Sequence, residues 1–262
     1  MANALGDGVL TPYNYHINFV HFNELEMQSY AELSKEIAKL LSIEERELST
    51  KLKDLIRRRN RIISNASQKT LVLKNLLETL KIDDKKHTLV YAGEGKILDL
   101  DDEPASDSET KQLRVIADVM MNLGWKVSRF TAEEKKNERL EILRDFKEGN
   151  IDALVSMKVL DEGIDIPACE RAFILASTTN SRQFIQRRGR ILRKSEGKKI
   201  ANIYDFVVIP LQNSALEGCF VSLVRRELYR VMEFVRLSKN RDEGEREATG
   251  LAMQFGLDIK EL

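Results

Sequence analysis

IDALVSMKVLDEGIDIP, residues 151–167, decides the fold. Its first six residues are a short apolar, β-prone run, and Met157–Pro167 follows as a loop with Gly163 and Asp165 two positions apart. Before it, Glu133–Lys147 keeps a helical period and Gly149 stops it. Outward from there, the alternation continues. Short strands are predicted at His87–Tyr91, Trp125–Phe130, Ala172–Ala176 and Ala201–Ile209, the last ended by Pro210. Helices are predicted over 107–123 and Ser181–Arg193. Five strands with intervening helices predict βαβ units in an α/β fold, with a mostly parallel sheet covered on both faces. The first 80 residues read mostly helical after an extended lead-in, TPYNYHINFVHF, at residues 11–22. Helices are expected from an Asn23 cap with Glu26 at its N3 position, over 43–64 and over 66–81. Two more follow at 214–238 and 243–254, the first with Leu228, Val231, Met232 and Val235 on one stripe. Asp99–Glu109, with six acids and a proline, reads as an exposed loop. A metal site at Asp101-Asp102-Glu103 is disfavoured, because no strong apolar strand delivers those acids to a sheet edge.

The totals bound the function classes. The chain has 262 residues, 42 Lys plus Arg against 42 Asp plus Glu, and no net charge. A nucleic-acid surface would therefore have to come from local clustering. Cys169 and Cys219 are too few for a disulfide framework or a zinc site, so reduced thiols and a cytoplasmic protein are expected. No apolar run approaches the ~18 residues a bilayer needs, so no membrane partner is expected. The N-terminus lacks the pattern of a signal peptide. Met1 reads equally as a native start or as a start inside a longer protein.

SRQFIQRRGRILR, residues 181–193, packs five arginines around one glycine, Gly189. If it is helical throughout, Gln186, Arg190 and Arg193 stand at i, i+4 and i+7 on one face. Guanidiniums stay charged and grip phosphate oxygens through a rigid fork of donors. In the 157–167 loop, Gly163 allows close backbone approach, and Asp165 offers a carboxylate to a ribose hydroxyl; a plain surface turn is the other reading. Thr131 caps the following helix with Glu134 at N3, a role compatible with a phosphate contact. Arg57, Arg58, Arg59 and Arg61 lie on a helix with Lys51 and Lys53, either as a solvated face or as a phosphate-tracking patch. No GxxxxGK[ST] occurs, and Ala92–Ile97 lacks its spacing and its Ser/Thr. The chain has arginines for a triphosphate and no cradle for one.

The order HTLVYAG, RFTAEEKKNERLEILRDFKEG, ALVSMKVLDEGIDIP, SRQFIQRRGRILR resembles motifs IV, IVa, V and VI of the second RecA-like domain of superfamily 2 helicases and translocases. The likeness is to the branch of XPB-like, RadD-like and type III restriction motor proteins, with UvrB more distant, and it covers residues 69–209. It implies a three-layer α/β/α domain at 67–210, a connector and helical segment at 1–66, and a helical extension at 211–262. It implies that Arg190 and Arg193 are arginine fingers, that Gln186 meets the γ-phosphate or attacking water, and that Asp165 and Gly163 contact the ribose side. Ser156, in place of the usual threonine, Thr131 and Lys158 would touch a nucleic-acid backbone, DNA before RNA. No residue is assigned as a metal ligand. ATP with Mg2+ would be bound mainly by an N-terminal RecA-like domain of the same longer protein. Ser156-Met157-Lys158 stands where many relatives have Thr-Asp-Val, which puts that family's polar relay in doubt. A non-enzymatic nucleic-acid-binding or scaffold protein on a lone helicase-like domain is the rival reading.

Overall fold

The computed structural model describes residues 10–42, 49–81, 85–93, 105–131, 134–157, 166, 169–176, 189–211 and 218–261. Six strands form one sheet in the order β1-β6-β5-β2-β4-β3, and all five pairings are parallel. They are β1 (Tyr13–His21), β2 (Thr88–Tyr91), β3 (Val127–Phe130), β4 (Ala153–Ser156), β5 (Arg171–Ile174) and β6 (Ala201–Ile209). The inner strands β2, β4 and β5 are buried at all four positions, as a sheet roofed on both sides requires. Side chains alternate between two cores. Leu89, Leu154, Ala172 and Val207 face one, and Val90, Val155, Phe173 and Phe206 the other.

The helices are α1 (Glu24–Leu41), α2 (Thr50–Ser64), α3 (Gln68–Thr79), α4 (Ala105–Asn122), α5 (Lys136–Glu148), α6 (Gly218–Val235) and α7 (Arg241–Gln254). The Asn23 cap forms as expected: its side chain accepts from the Glu26 amide at 2.8 Å, and Glu26 accepts from the Asn23 amide at 2.9 Å. Buried Glu26 also accepts from the Ser67 amide at 2.7 Å, so one carboxylate joins the start of α1 to the start of α3. Leu73 and Leu77 of α3 pack in the second core with Leu113, Ile116 and Met120 of α4. Phe220 and Leu223 of α6 join that core, and the helix then crosses to the first core with Val224, Leu228, Val231 and Val235. The stripe expected on this helix is buried throughout.

Two expectations need correction. The lead-in at 11–22 is a full strand, the sixth of the sheet, paired over nine residues from Tyr13↔Ala201 to His21↔Ile209. Its aromatic alternation is the signal, because Tyr13 and Tyr15 sit in the first core and Val20 in the second. The exposed loop expected over 99–109 is helical from Ala105, and residues 99–104 lie outside the described ones.

β1 is an edge strand, and its open backbone is closed by the α6–α7 connection. The Asn240 amide accepts from Tyr15 N–H at 2.8 Å and donates to Tyr15 C=O at 2.9 Å, as a strand neighbour would. Lys239 N–H donates to Tyr13 C=O at 2.8 Å. Such cover removes a template for unwanted strand pairing.

A buried polar cluster ties the same elements. Tyr15 Oη donates to Asp205 Oδ2 at 2.6 Å, Arg230 donates to the same oxygen, and Arg230 Nη2 donates to Glu227 Oε2 at 2.7 Å. Burial and the Asp205 carboxylate push the Tyr15 phenol well above its ordinary range, so its hydroxyl keeps the proton it donates. Removing the guanidinium leaves two carboxyls in a dry core. Arg230→Met is expected to lose about 3–5 kcal/mol of stability, measured by urea unfolding at pH 7. A loss under about 1 kcal/mol would show that the cluster does not hold α6 to the sheet.

Candidate functional site

Parallel strands all end on one edge, and ligands of open α/β sheets gather there. Register aligns Phe130, Ser156, Tyr91 and Ile174, the last residues of β3, β4, β2 and β5, along that edge. Strand order reverses around β2: the chain passes from β2 to β3 on one side, then returns past it from β4 to β5. The β4–β5 connection, which holds the predicted loop residues, therefore crosses the reversal point.

Ser156 ends β4 and is fully buried; its hydroxyl donates to Met157 C=O at 3.2 Å, and its carbonyl accepts from Ala92 N–H at 2.8 Å. Thr131, one residue past β3, is also buried. Its N–H and hydroxyl both donate to the Glu134 carboxylate, at 2.7 and 2.9 Å. This corrects the expected cap. α5 begins at Lys136, with the Lys135 N–H donating to Glu138 at 2.8 Å, so Thr131 stands before the helix and not at its N-cap. In this state its one hydroxyl proton is committed to an acid. Arg139 reaches back to Thr131 C=O at 3.1 Å and lies over the Phe130 ring.

The arginine stretch is described from Gly189 onward. Residues 189–191 are helical, and the helix ends there. Arg193 lies past it, in an isolated antiparallel bridge with Leu10. The single face expected for Gln186, Arg190 and Arg193 therefore does not continue to Arg193. Ile191 and Leu192, where the helix ends, are both fully buried in the first core. Half-buried Arg190 and exposed Arg193 flank this anchor. The anchor is held by hydrogen bonds from both sides. Thr11 N–H donates to Leu192 C=O at 2.7 Å, Thr11 Oγ1 to Arg193 C=O at 3.3 Å, and Lys198 Nζ to the carbonyls of Ile191 and Arg193. Lys198 is a cation at a helix C-terminus, where the free carbonyls favour it. Gln186, Gly163, Asp165 and Lys158 lie outside the described residues, as do Asp101-Asp102-Glu103. Among the described residues, no group of three or more His, Cys, Asp or Glu could hold a metal ion. Cys169 is a buried thiol pushed up to about 12 by desolvation, an inert group.

Residues around the edge were missed in the sequence. Gly93, just past β2, lies against the end of α2: a Cβ there would stand 2.6 Å from Asn65 Oδ1 and 2.9 Å from Ser64 Cβ and its carbonyl oxygen. That glycine serves helix contact, not a phosphate cradle. Lys69 is fully buried and donates to Leu175 C=O, at the end of β5, and to Ser64 C=O at 3.5 Å. Its spacing with Leu73 and Leu77 marks it as inward-facing, a signal present in the sequence. It links the end of α2 to the end of β5 and thus holds the edge.

Burial lowers the Lys69 ammonium to about 7, against a weaker opposing pull from Glu227. The unfolded chain titrates this group near ~10.4. Between about 7 and 10, the unfolded chain holds one more proton here than the folded protein, so stability rises with pH. The slope is on the order of 1.4 kcal/mol per pH unit. Lys69→Met is expected to lack that slope in urea unfolding from pH 7 to 9, and parallel curves for the two proteins would rule the account out.

Residues 68–195 match the family model described as the helicase conserved C-terminal domain. A DNA 3'-5' translocase XPB2 from Sulfurisphaera tokodaii is 42% identical over 66 residues, 25% of this chain and 15% of that protein. UvrABC system protein B from Aster yellows witches'-broom phytoplasma is 37% identical over 106 residues, 38% of this chain and 16% of that protein. The chain therefore spans about a sixth of the length of these relatives. The solved C-terminal part of the Fun30 ATPase domain has a TM-score of 0.49 at 15% identity, over 76% of this chain and 86% of that one. No helix among the described residues is long and apolar enough to cross a membrane.

Proposed function

We propose that this chain, whose residues 68–195 match the helicase conserved C-terminal domain, is the C-terminal RecA-like part of a superfamily 2 helicase and supplies one half of a split ATP site in a DNA translocase. The observation that carries the reading is the rigid presentation of Arg190 and Arg193 about the buried Ile191-Leu192 anchor. A fixed backbone sets where each guanidinium starts from, and charge placed before the reaction is what stabilises a transition state. The donor set fits phosphate oxygens and not a cation, and the sequence has no Walker A glycine loop. Mg2+ and most of the ATP contacts thus belong to a P-loop domain facing this one.

Bound ATP supplies the phosphoanhydride whose cleavage drives the motor. Arg190 and Arg193 reach the terminal phosphates as negative charge spreads in the transition state, a role worth ~10³–10⁵ in rate. Gln186 orients the attacking water, and Asp165 with Gly163 contacts the ribose side. Thr131 and Lys158 line the track; Ser156, fully buried at the β4 end with its hydroxyl on Met157 C=O, joins it only if that end of the edge opens. For Thr131 to donate to a phosphate, Glu134 must release its hydroxyl. DNA is favoured over RNA because one relative is named a DNA translocase.

The isolated 262-residue chain is expected to show no ATP turnover above a buffer control, with or without DNA; robust hydrolysis by it would overturn the split-site reading. In a longer protein carrying the P-loop domain, Arg190→Ala is expected to cut DNA-stimulated kcat at least ~10³-fold and to leave nucleotide Kd within about threefold, by fluorescent-nucleotide titration. Equal loss of both would assign Arg190 to ground-state binding.

A further inference from the structure

The exposed face of α2 is not used by the split site, and it is the most strongly charged surface among the described helices. Its sequence, TKLKDLIRRRNRIIS, holds six cations and one acid in a chain whose total charge is zero. At about 100° per residue, the buried side is an arc of Leu52, Leu55, Ile62 and Ile63, with Arg59 at its centre. Arg59 lies over the Tyr30 ring at 5.6 Å and donates to Ser34. The remaining arc, about 160° wide, carries Lys51, Lys53, Arg57, Arg58 and Arg61, with Asp54 as its one acid. Lys51, Lys53, Arg57 and Arg58 are exposed. None of these five side chains makes an ion pair or hydrogen bond with another described residue.

We infer that this face of α2 binds the phosphate backbone of a nucleic acid, as a contact surface additional to the strand-end site. Two features select that occupant. Lys53, Arg57 and Arg61 recur every four residues, ~6 Å along the axis, a linear row of cations suited to a repeating anion such as a duplex strand, with its phosphate every ~3.4 Å. The helix is also placed for it: its last residue, Ser64, abuts Gly93 at the same edge that carries Ser156. A strand crossing the edge would continue along α2. The inference concerns binding only and does not depend on ATP hydrolysis by a longer protein.

The test is fluorescence anisotropy of this chain with a 20-bp duplex, from 50 to 200 mM KCl. Arg57→Gln/Arg58→Gln is expected to bind roughly tenfold more weakly at 100 mM and to flatten the slope of log K against log salt by about 1.8, equally on two unrelated sequences. Lys51→Gln/Lys53→Gln, the second pair, should behave alike, which keeps the test open if the first pair misfolds by circular dichroism. Arg59→Gln should lower stability and leave the slope unchanged. Unchanged affinity and slope in both exposed pairs would overturn the inference. So would an equal slope change in Arg59→Gln, or equally tight binding of polyglutamate, which would show an acidic-protein surface. Because wild-type turnover of ATP is not read, these outcomes are separable from failure of the split-site reading.

Discussion

Six strands running the same way leave no sheet face for water, so every connection must cross a face and help to roof it. That constraint explains why the helices before β2 and after β6 are not appendages in packing terms. α1, α3 and α4 fill one side with Tyr30, Leu73 and Met120, and α6 and α7 fill the other with Val231, Phe234 and Ala248. It also explains the Tyr15–Asp205–Arg230–Glu227 cluster. A polar group on a strand buried from both sides must find its partners inside, and Tyr15 and α6 supply them.

The same constraint builds the site. Because the strands are parallel, Ser156, the end of β2 and the end of β5 meet on one edge, and Lys69 joins that edge to the end of α2. The arginines are positioned differently, through backbone. Thr11 and Lys198 hold the carbonyls of 191–193, so the lead-in before β1 and the turn before β6 together set where Arg190 and Arg193 stand.

Much of this was legible in the sequence, for local reasons. Apolar runs of strand length, helical periods and glycine stops are short-range signals, and they located β2 to β6 and the flanking helices. The Asn23–Glu26 cap was legible because a capping box is complete within four residues. The β1 strand was not, because β pairing is made with residues 188 positions away, and an extended aromatic run looks the same paired or unpaired. The start of α4 at Ala105 was hidden by acids that suit a loop and a helix N-terminus equally.

The candidate site divides along the same line. Residue chemistry came from the sequence alone: guanidiniums in 187–193, a glycine and a carboxylate in 163–165, and a neutral chain that must cluster its cations. Which arginine does what was decided by burial. Arg59 turns inward to Tyr30 and Ser34 while Arg57 and Arg58 stay outside, although three consecutive arginines are indistinguishable in a run. Arg193 leaves the helix face and bridges Leu10, a residue far away in the chain, beside the buried Ile191 and Leu192. Local periodicity determined which elements form; only the tertiary structure decided which faces they bury, because that depends on neighbours distant in the chain.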